Sequence, residues 1–193
     1  MMHTADLLKV FAQHRGDAIV ISGRGGRHWV EISESPMDIP LGDPAMGGHA
    51  GFGLGLALAQ PNRRVVLFDS EGDILMSLGQ LATIAEQAPP NFYHFILDNE
   101  VYATTGGQPV PGSKVVDYAG VARSVGYPTA VNITEIDDFT ARLPGLLATP
   151  GPVFAALKVY PEVENTPIGQ RVRWRKRAAD KVVQDLRGAL GVG

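Results

Sequence analysis

The chain has 193 residues, 45% of them apolar and 19% charged, the balance of one folded domain with a sizeable core, which excludes bulk disorder. A formal net charge of −3 gives no global field toward nucleic acid or a membrane surface. With no cysteine, disulfides, thiolate catalysis and thiolate-ligated metals are excluded, and a reducing compartment fits.

Met1 to Arg15 reads as an amphipathic helix with Leu7, Leu8, Val10 and Phe11 on one side, not as a signal peptide. No apolar run reaches the roughly 18 residues of a membrane span, so a cytoplasmic protein is expected. Asp17 to Ser22 is a buried strand that ends in a glycine loop at Gly23, Gly25 and Gly26. Arg27 to Pro44, with prolines at 36, 40 and 44, reads as loop with at most a short strand near Trp29 to Ile32. Met46 to Gln60 is small and apolar, a helix that needs close packing because each glycine costs about 1 kcal/mol against alanine. Gly51-Phe52-Gly53-Leu54-Gly55 has neither the preceding strand nor the spacing of a dinucleotide fingerprint.

A strand over 64–69 and a helix over 74–87 follow, stopped by Ala88-Pro89-Pro90; a strand over 92–97 comes next. Helices are expected over 117–125 and 135–147, with strands over 129–131 and 153–159. The alternation predicts an α/β fold, a doubly wound, mainly parallel sheet with helices on both faces. Residues 1–169 form that single domain in this reading. From 170 to 193 the chain is a basic helix packed on the domain or on a partner. Residues 171–193 carry net +5, the remainder −8. Arg171, Arg173, Arg175, Lys176 and Arg177 crowd the start of that helix, with only Trp174 among them to stack on bases. A solvated or interface face is favoured over nucleic-acid binding.

Ligands of such sheets bind beyond the carboxyl ends of the strands, and two ends here are polar: Asp69-Ser70-Glu71-Gly72-Asp73 and Asp98-Asn99-Glu100. Carboxylates, an amide oxygen and the start of a helix together suit Mg²⁺ with a phosphate; ordinary turn chemistry explains the same residues equally well. His49 and His94 read as packing histidines, His49 with the option of facing a ligand, and Glu135, Asp137 and Asp138 as capping acids.

Met46 to Pro109 resembles the diphosphate-binding (PP) domain of thiamine-diphosphate enzymes, in particular the sulfopyruvate and phosphonopyruvate decarboxylases. Their Gly-Asp-Gly motif falls on Ser70-Glu71-Gly72 and the later asparagine on Asn99; Thr104-Thr105-Gly106-Gly107-Gln108-Pro109 is similar to their STGGQP loop. The resemblance implies thiamine diphosphate and Mg²⁺ as cofactors, with Glu71, Asn99 and the carbonyl of Val101 as metal ligands. It places Pro44, Met46, Gly47, Gly72, Asp73, Ile74, Asn99, Tyr102, Thr104 and Thr105 at the cofactor. Met46 would force the cofactor's V shape, where an unrelated methionine would simply fill core, and the carbonyl of Pro44 would accept from its amine.

Two positions depart from the motif: Ser70 replaces glycine, and Glu71 is one methylene longer than aspartate. Asp73 adds a charge near the diphosphate, and like charges at about 4 Å repel by about 4 kcal/mol at an effective dielectric near 20. Asp73 can point outward at the helix start, replace Glu71 as metal ligand, or mark a site that no longer binds. By resemblance the chemistry is decarboxylation of a small 2-oxo acid. The activating glutamate comes from a separate pyrimidine-binding α subunit, so this chain has no catalytic residue of its own and is inactive alone, and it also self-associates. The alternative is a degenerate PP-domain protein that acts as a structural or regulatory partner. Neither nucleic acid nor membrane is expected as a partner.

Overall fold

The computed structural model describes residues 1–42 and 46–192, the side chain of Ile168 aside; the carbonyl expected of Pro44 lies outside the described residues. The chain opens with α1 (Thr4–Ala12), β1 (Ile19–Ser22), the short helix α2 (Trp29–Ile32), β2 (Asp38–Pro40) and α3 (His49–Ala59). Then come β3 (Val65–Ser70), α4 (Glu71–Met76), α5 (Gln80–Gln87), β4 (Phe92–Asp98) and the ribbon β5 (Val101–Tyr102) with β6 (Gln108–Pro109). The series closes with α6 (Tyr118–Val125), β7 (Thr129–Ile133), α7 (Ile136–Ala148), β8 (Val153–Lys158) and α8 (Ala179–Leu190).

Six strands form one sheet in the order β2-β1-β3-β4-β8-β7, every pair parallel. Buried on both faces, β1, β3, β4 and β8 read as continuous apolar runs, as strands of parallel sheets do. Alternate residues feed two cores. Val20, Val66, Phe68, Phe95 and Leu157 pack with Leu7, Leu8 and Phe11 of α1 and with Phe139 and Leu143 of α7. On the opposite face Ile21, Val65, Leu67, Ile96 and Phe154 pack with Leu54 of α3, Leu81 and Ile84 of α5 and Ala119 and Ala122 of α6. The doubly wound α/β architecture is therefore as expected.

Four boundaries differ from expectation. Trp29–Ile32 is helical, not extended, and the unexpected edge strand β2 follows it. Asp38 explains the placement: it accepts from the Trp29 indole at 2.9 Å and from Ser33 at 2.6 Å, and it pairs with Arg15 at 2.9 Å. The helix of 46–60 begins only at His49, because Gly47 takes a left-handed turn at φ +75°. The helix of 74–87 starts early, at Glu71, and breaks after Met76 into two pieces. Finally, Arg171 to Arg177 precede the last helix instead of starting it. Arg177 donates to the carbonyls of Ser35 (3.1 Å) and Asp38 (2.7 Å), and α8 buries Val182 in the second core. Glu135 makes no cap with its side chain; it pairs with the N-terminus at 3.1 Å. Among the described residues, no helix is long and apolar enough to cross a membrane.

Candidate functional site

Strand order reverses direction between β1 and β3, and a crevice opens beyond their carboxyl ends, where such sheets bind ligands. This cleft, open to solvent, is walled by the β1 loop (Gly23, Arg24), the end of β3 (Asp69, Ser70) and the β4 loop (Asn99, Tyr102). The far wall is the segment after β8, which crosses back over the sheet. Its Glu162 pairs with Arg27 at 2.7 Å and with His28 at 2.6 Å, and Glu164 pairs with Arg24 at 2.8 Å.

The floor carries a buried charge network. Asp69 on β3 and His94 on β4 lie on the same face of the sheet, because register pairs Leu67 with His94 and Asp69 with Ile96. Asp69 stands 3.3 Å from the His94 ring and 3.2 Å from Nδ1 of His49, which also meets Asp73 at 2.8 Å. Burial alone would depress the His49 imidazole, but Asp69 and Asp73 outweigh it and lift it to about 9. Burial likewise opposes ionisation of Asp69, yet His49 and His94 hold it well below the usual carboxylate range. Burial leaves Asp73 raised. The donor atoms of His49, Asp69 and Asp73 lie within 4.8 Å of one another, close enough for a cation.

Glu71 contrasts with this network. It begins α4, is fully buried, and neither carboxylate oxygen has a hydrogen-bond partner among the described residues. Burial pushes its carboxyl up to about 7, and the charge of Asp98 adds to the effect. The amides of Glu71, Asn99 and Glu100 favour the anion, but none reaches hydrogen-bond geometry. Glu100 adopts φ +68°, a left-handed turn uncommon for a residue with a side chain. There the chain doubles back so that the amide of Val101 donates to Oδ1 of Asn99 at 2.9 Å. An unpartnered buried carboxylate at Glu71 and an amide oxygen at Asn99 are hard-oxygen donors of the kind a divalent cation such as Mg²⁺ takes.

Of the residues expected at a cofactor, Met46, Gly72, Asp73, Asn99, Tyr102 and Thr104 line the cleft together with Val101. Met46 is 55% exposed at its mouth and is no core methionine. Asp73 does not point outward: it is buried, its Oδ1 accepts from the amide of Gly47 at 2.8 Å, and its other oxygen meets His49. Gly72 is required by contact, since a Cβ there would stand 2.8 Å from the Tyr102 ring. Ser70, the departure from glycine, caps α4 by accepting from the amide of Asp73 at 3.2 Å. Ile74 turns its side chain into the core, Thr105 borders a neighbouring cleft, and Glu71 lies behind the wall. Sequence reading missed Arg24, Arg27, Glu162 and Glu164; a Gly-Arg-Gly-Gly-Arg loop after one strand and two acids after another were the available signals.

The chain is 38% identical over 176 residues to the β subunit of sulfopyruvate decarboxylase from Methanothermobacter thermautotrophicus, covering 90% of this chain and 89% of that one. It is 47% identical over 117 residues to phosphonopyruvate decarboxylase from Streptomyces hygroscopicus, covering 61% of this chain and 29% of that protein. A second such enzyme, from Streptomyces viridochromogenes, is 38% identical over 159 residues; the chain thus spans under two fifths of these longer relatives. Benzoylformate decarboxylase from Polynucleobacter necessarius shares the fold, with a TM-score of 0.70 at 16% identity over 83% of this chain and 33% of that one. So does the 2-oxoglutarate:ferredoxin oxidoreductase of Magnetococcus marinus, with a TM-score of 0.66 at 14% identity over 98% and 85%. The model of the thiamine pyrophosphate enzyme C-terminal TPP-binding domain matches residues 26–156, more than half of the chain, and the protein belongs to that family.

Proposed function

We propose that this chain is the diphosphate-binding, β-type subunit of a heteromeric 2-oxo acid decarboxylase that uses thiamine diphosphate and Mg²⁺ in the cytoplasm. The observation that carries the reading is Glu71, a fully buried carboxylate without a partner among the described residues, at the position of the family's metal-binding aspartate. Its support is the near full-length likeness to a relative named as a β subunit.

When bound, thiamine diphosphate supplies the electron sink for loss of carbon dioxide from a 2-oxo acid. This chain's part is to bind and orient. Glu71, Asn99 and the Val101 carbonyl hold the cation, and Gly72, Thr104 and Thr105 border the diphosphate. Met46 props the cofactor's bend from the cleft mouth, with Gly47 and Tyr102. Asp73 does not oppose the diphosphate, because its carboxylate is turned onto the Gly47 amide and the protonated His49. The 3₁₀ turn Ala103–Thr105 is braced by Thr105, which donates to Gln108 at 2.8 Å. Ile74 contributes through its backbone, since its side chain is in the core.

The proton-handling glutamate comes from a pyrimidine-binding α subunit. Phe52 and Leu58 of α3, 44% and 50% exposed, and the exposed Met76 and Leu78 are apolar side chains suited to subunit contact, including contact with a second copy. The test is release of carbon dioxide from sulfopyruvate and phosphonopyruvate by this chain, by a pyrimidine-domain partner, and by the two mixed. Turnover only in the mixture supports the reading. Turnover by this chain alone, or none from a mixture that binds cofactor, contradicts it.

A further inference from the structure

A second cleft opens beside the first and shares Arg24, Gly42, Met46 and Thr104 with it, so the two are continuous across Met46. The remaining wall of the second cleft comes from the segment before α8, with Arg171, Arg173, Trp174 and Arg175. Its arginines are not equivalent. Arg171 donates to the carbonyl of Thr166 at 2.7 Å and stands 3.6 Å from Glu164, which also holds Arg24. Arg173 and Arg175 have no hydrogen bond or ion pair among the described residues. Arg175 lies against the backbone of Gly42: a Cβ there would meet its guanidinium carbon at 2.8 Å. That guanidinium packs on backbone, and its donors have no partner among the described residues.

We propose that Arg173 and Arg175 receive the second acidic group of the substrate, a tetrahedral sulfonate or phosphonate on the carbon beside the 2-oxo group. The inference rests on the function proposed above and adds the residues that distinguish such substrates from a simple 2-oxo acid. Planar guanidinium groups match two oxygens of a tetrahedral oxoanion at once, which a lysine ammonium does not. The location also fits. A 2-oxo acid reacting near Met46 would carry its far end into the adjoining cleft, where unpaired positive charge waits. Arg171, Lys176, Arg177 and Lys181 of the basic tail are paired within the fold, whereas Arg173 and Arg175 face this cleft.

The experiment uses the full chain loaded with thiamine diphosphate and Mg²⁺. Acetate, sulfoacetate and phosphonoacetate are titrated as unreactive probes, by calorimetry, into wild type, R173M/R175M and R173K/R175K. The wild type is expected to bind both dianionic probes at least tenfold more tightly than acetate. The methionine variant should lose that preference with cofactor affinity and melting temperature unchanged, and the lysine variant should recover part of it. A preference for phosphonoacetate over sulfoacetate, or the reverse, identifies which oxoanion the cleft selects. Dianion preference that survives in R173M/R175M, or is absent from cofactor-loaded wild type, overturns the proposal. Failure of the wild type to take up cofactor overturns the proposed function itself, which separates the two.

Discussion

Two buried carboxylates leave the end of β3 two residues apart, and their surroundings are opposite. Asp69 is surrounded by partners: His49, His94 and the amide of Ser70 all reach it. Glu71 is as deeply buried and has none among the described residues. A charge taken out of water must be compensated or neutralised. Asp69 is compensated from within the chain, which makes it part of the framework. Glu71 has no hydrogen-bond partner among the described residues, so a cation from outside has a place to act.

The contrast can be broken first at Asp69. Asp69→Ala leaves a buried imidazolium without its main counter-charge, and we expect a loss of about 3–5 kcal/mol in denaturant unfolding. An effect below about 1 kcal/mol would mean that the network is not structural. The second test is pH. The Glu71 carboxyl sits at about 7 in the fold against an ordinary 4.5. A raised value means stability that is full below about 4.5 and lost as pH rises through about 7, by up to about 3 kcal/mol in the cofactor-free chain. Glu71→Gln should remove that decline. His49, raised to about 9 from 6.5, adds a second loss that runs from about pH 6.5 to about 9. Unfolding curves at pH 5, 6, 7.5 and 9 distinguish the two groups.

Gly72→Ala comes next. The new methyl group would meet the Tyr102 ring at 2.8 Å, so the ring must move. We expect a cost of about 1–3 kcal/mol and weaker cofactor binding. The smallest effect is expected at Ser70. Ser70→Gly restores the family's motif residue and removes a helix cap, at a cost of a few tenths of a kcal/mol, with cofactor affinity kept within about twofold. A large loss of affinity would show that Ser70 does more than cap α4.

The parts of the fold visible in the sequence were those that local pattern controls. β3, β4 and β8 stood out because strands buried on both faces are uninterrupted apolar runs. β2 did not, because it is three residues ending in a proline and is held by Asp38 through contacts with Trp29 and Ser33 and with the distant Arg15. The break between α4 and α5 was also hidden: Leu75, Leu78 and Leu81 keep helical spacing across it, while the chain turns at Ser77 to Gly79. At the site, resemblance to the motif identified Glu71 and Asn99. The role of His94 was not legible, since only the register of β3 on β4 brings it to Asp69, 25 positions away. The tail was legible as charge, and its position beside Met46 was not.

The central claim is that Glu71 carries the cation of the cofactor. The direct measurement is calorimetric titration of thiamine diphosphate into wild type and Glu71→Ala, each with Mg²⁺ and with a chelator. The account predicts saturable, metal-dependent binding in the wild type and affinity at least about 100-fold weaker, about 2.7 kcal/mol, in the variant. Equal affinity in the two proteins, or binding by the wild type that ignores the chelator, would contradict it.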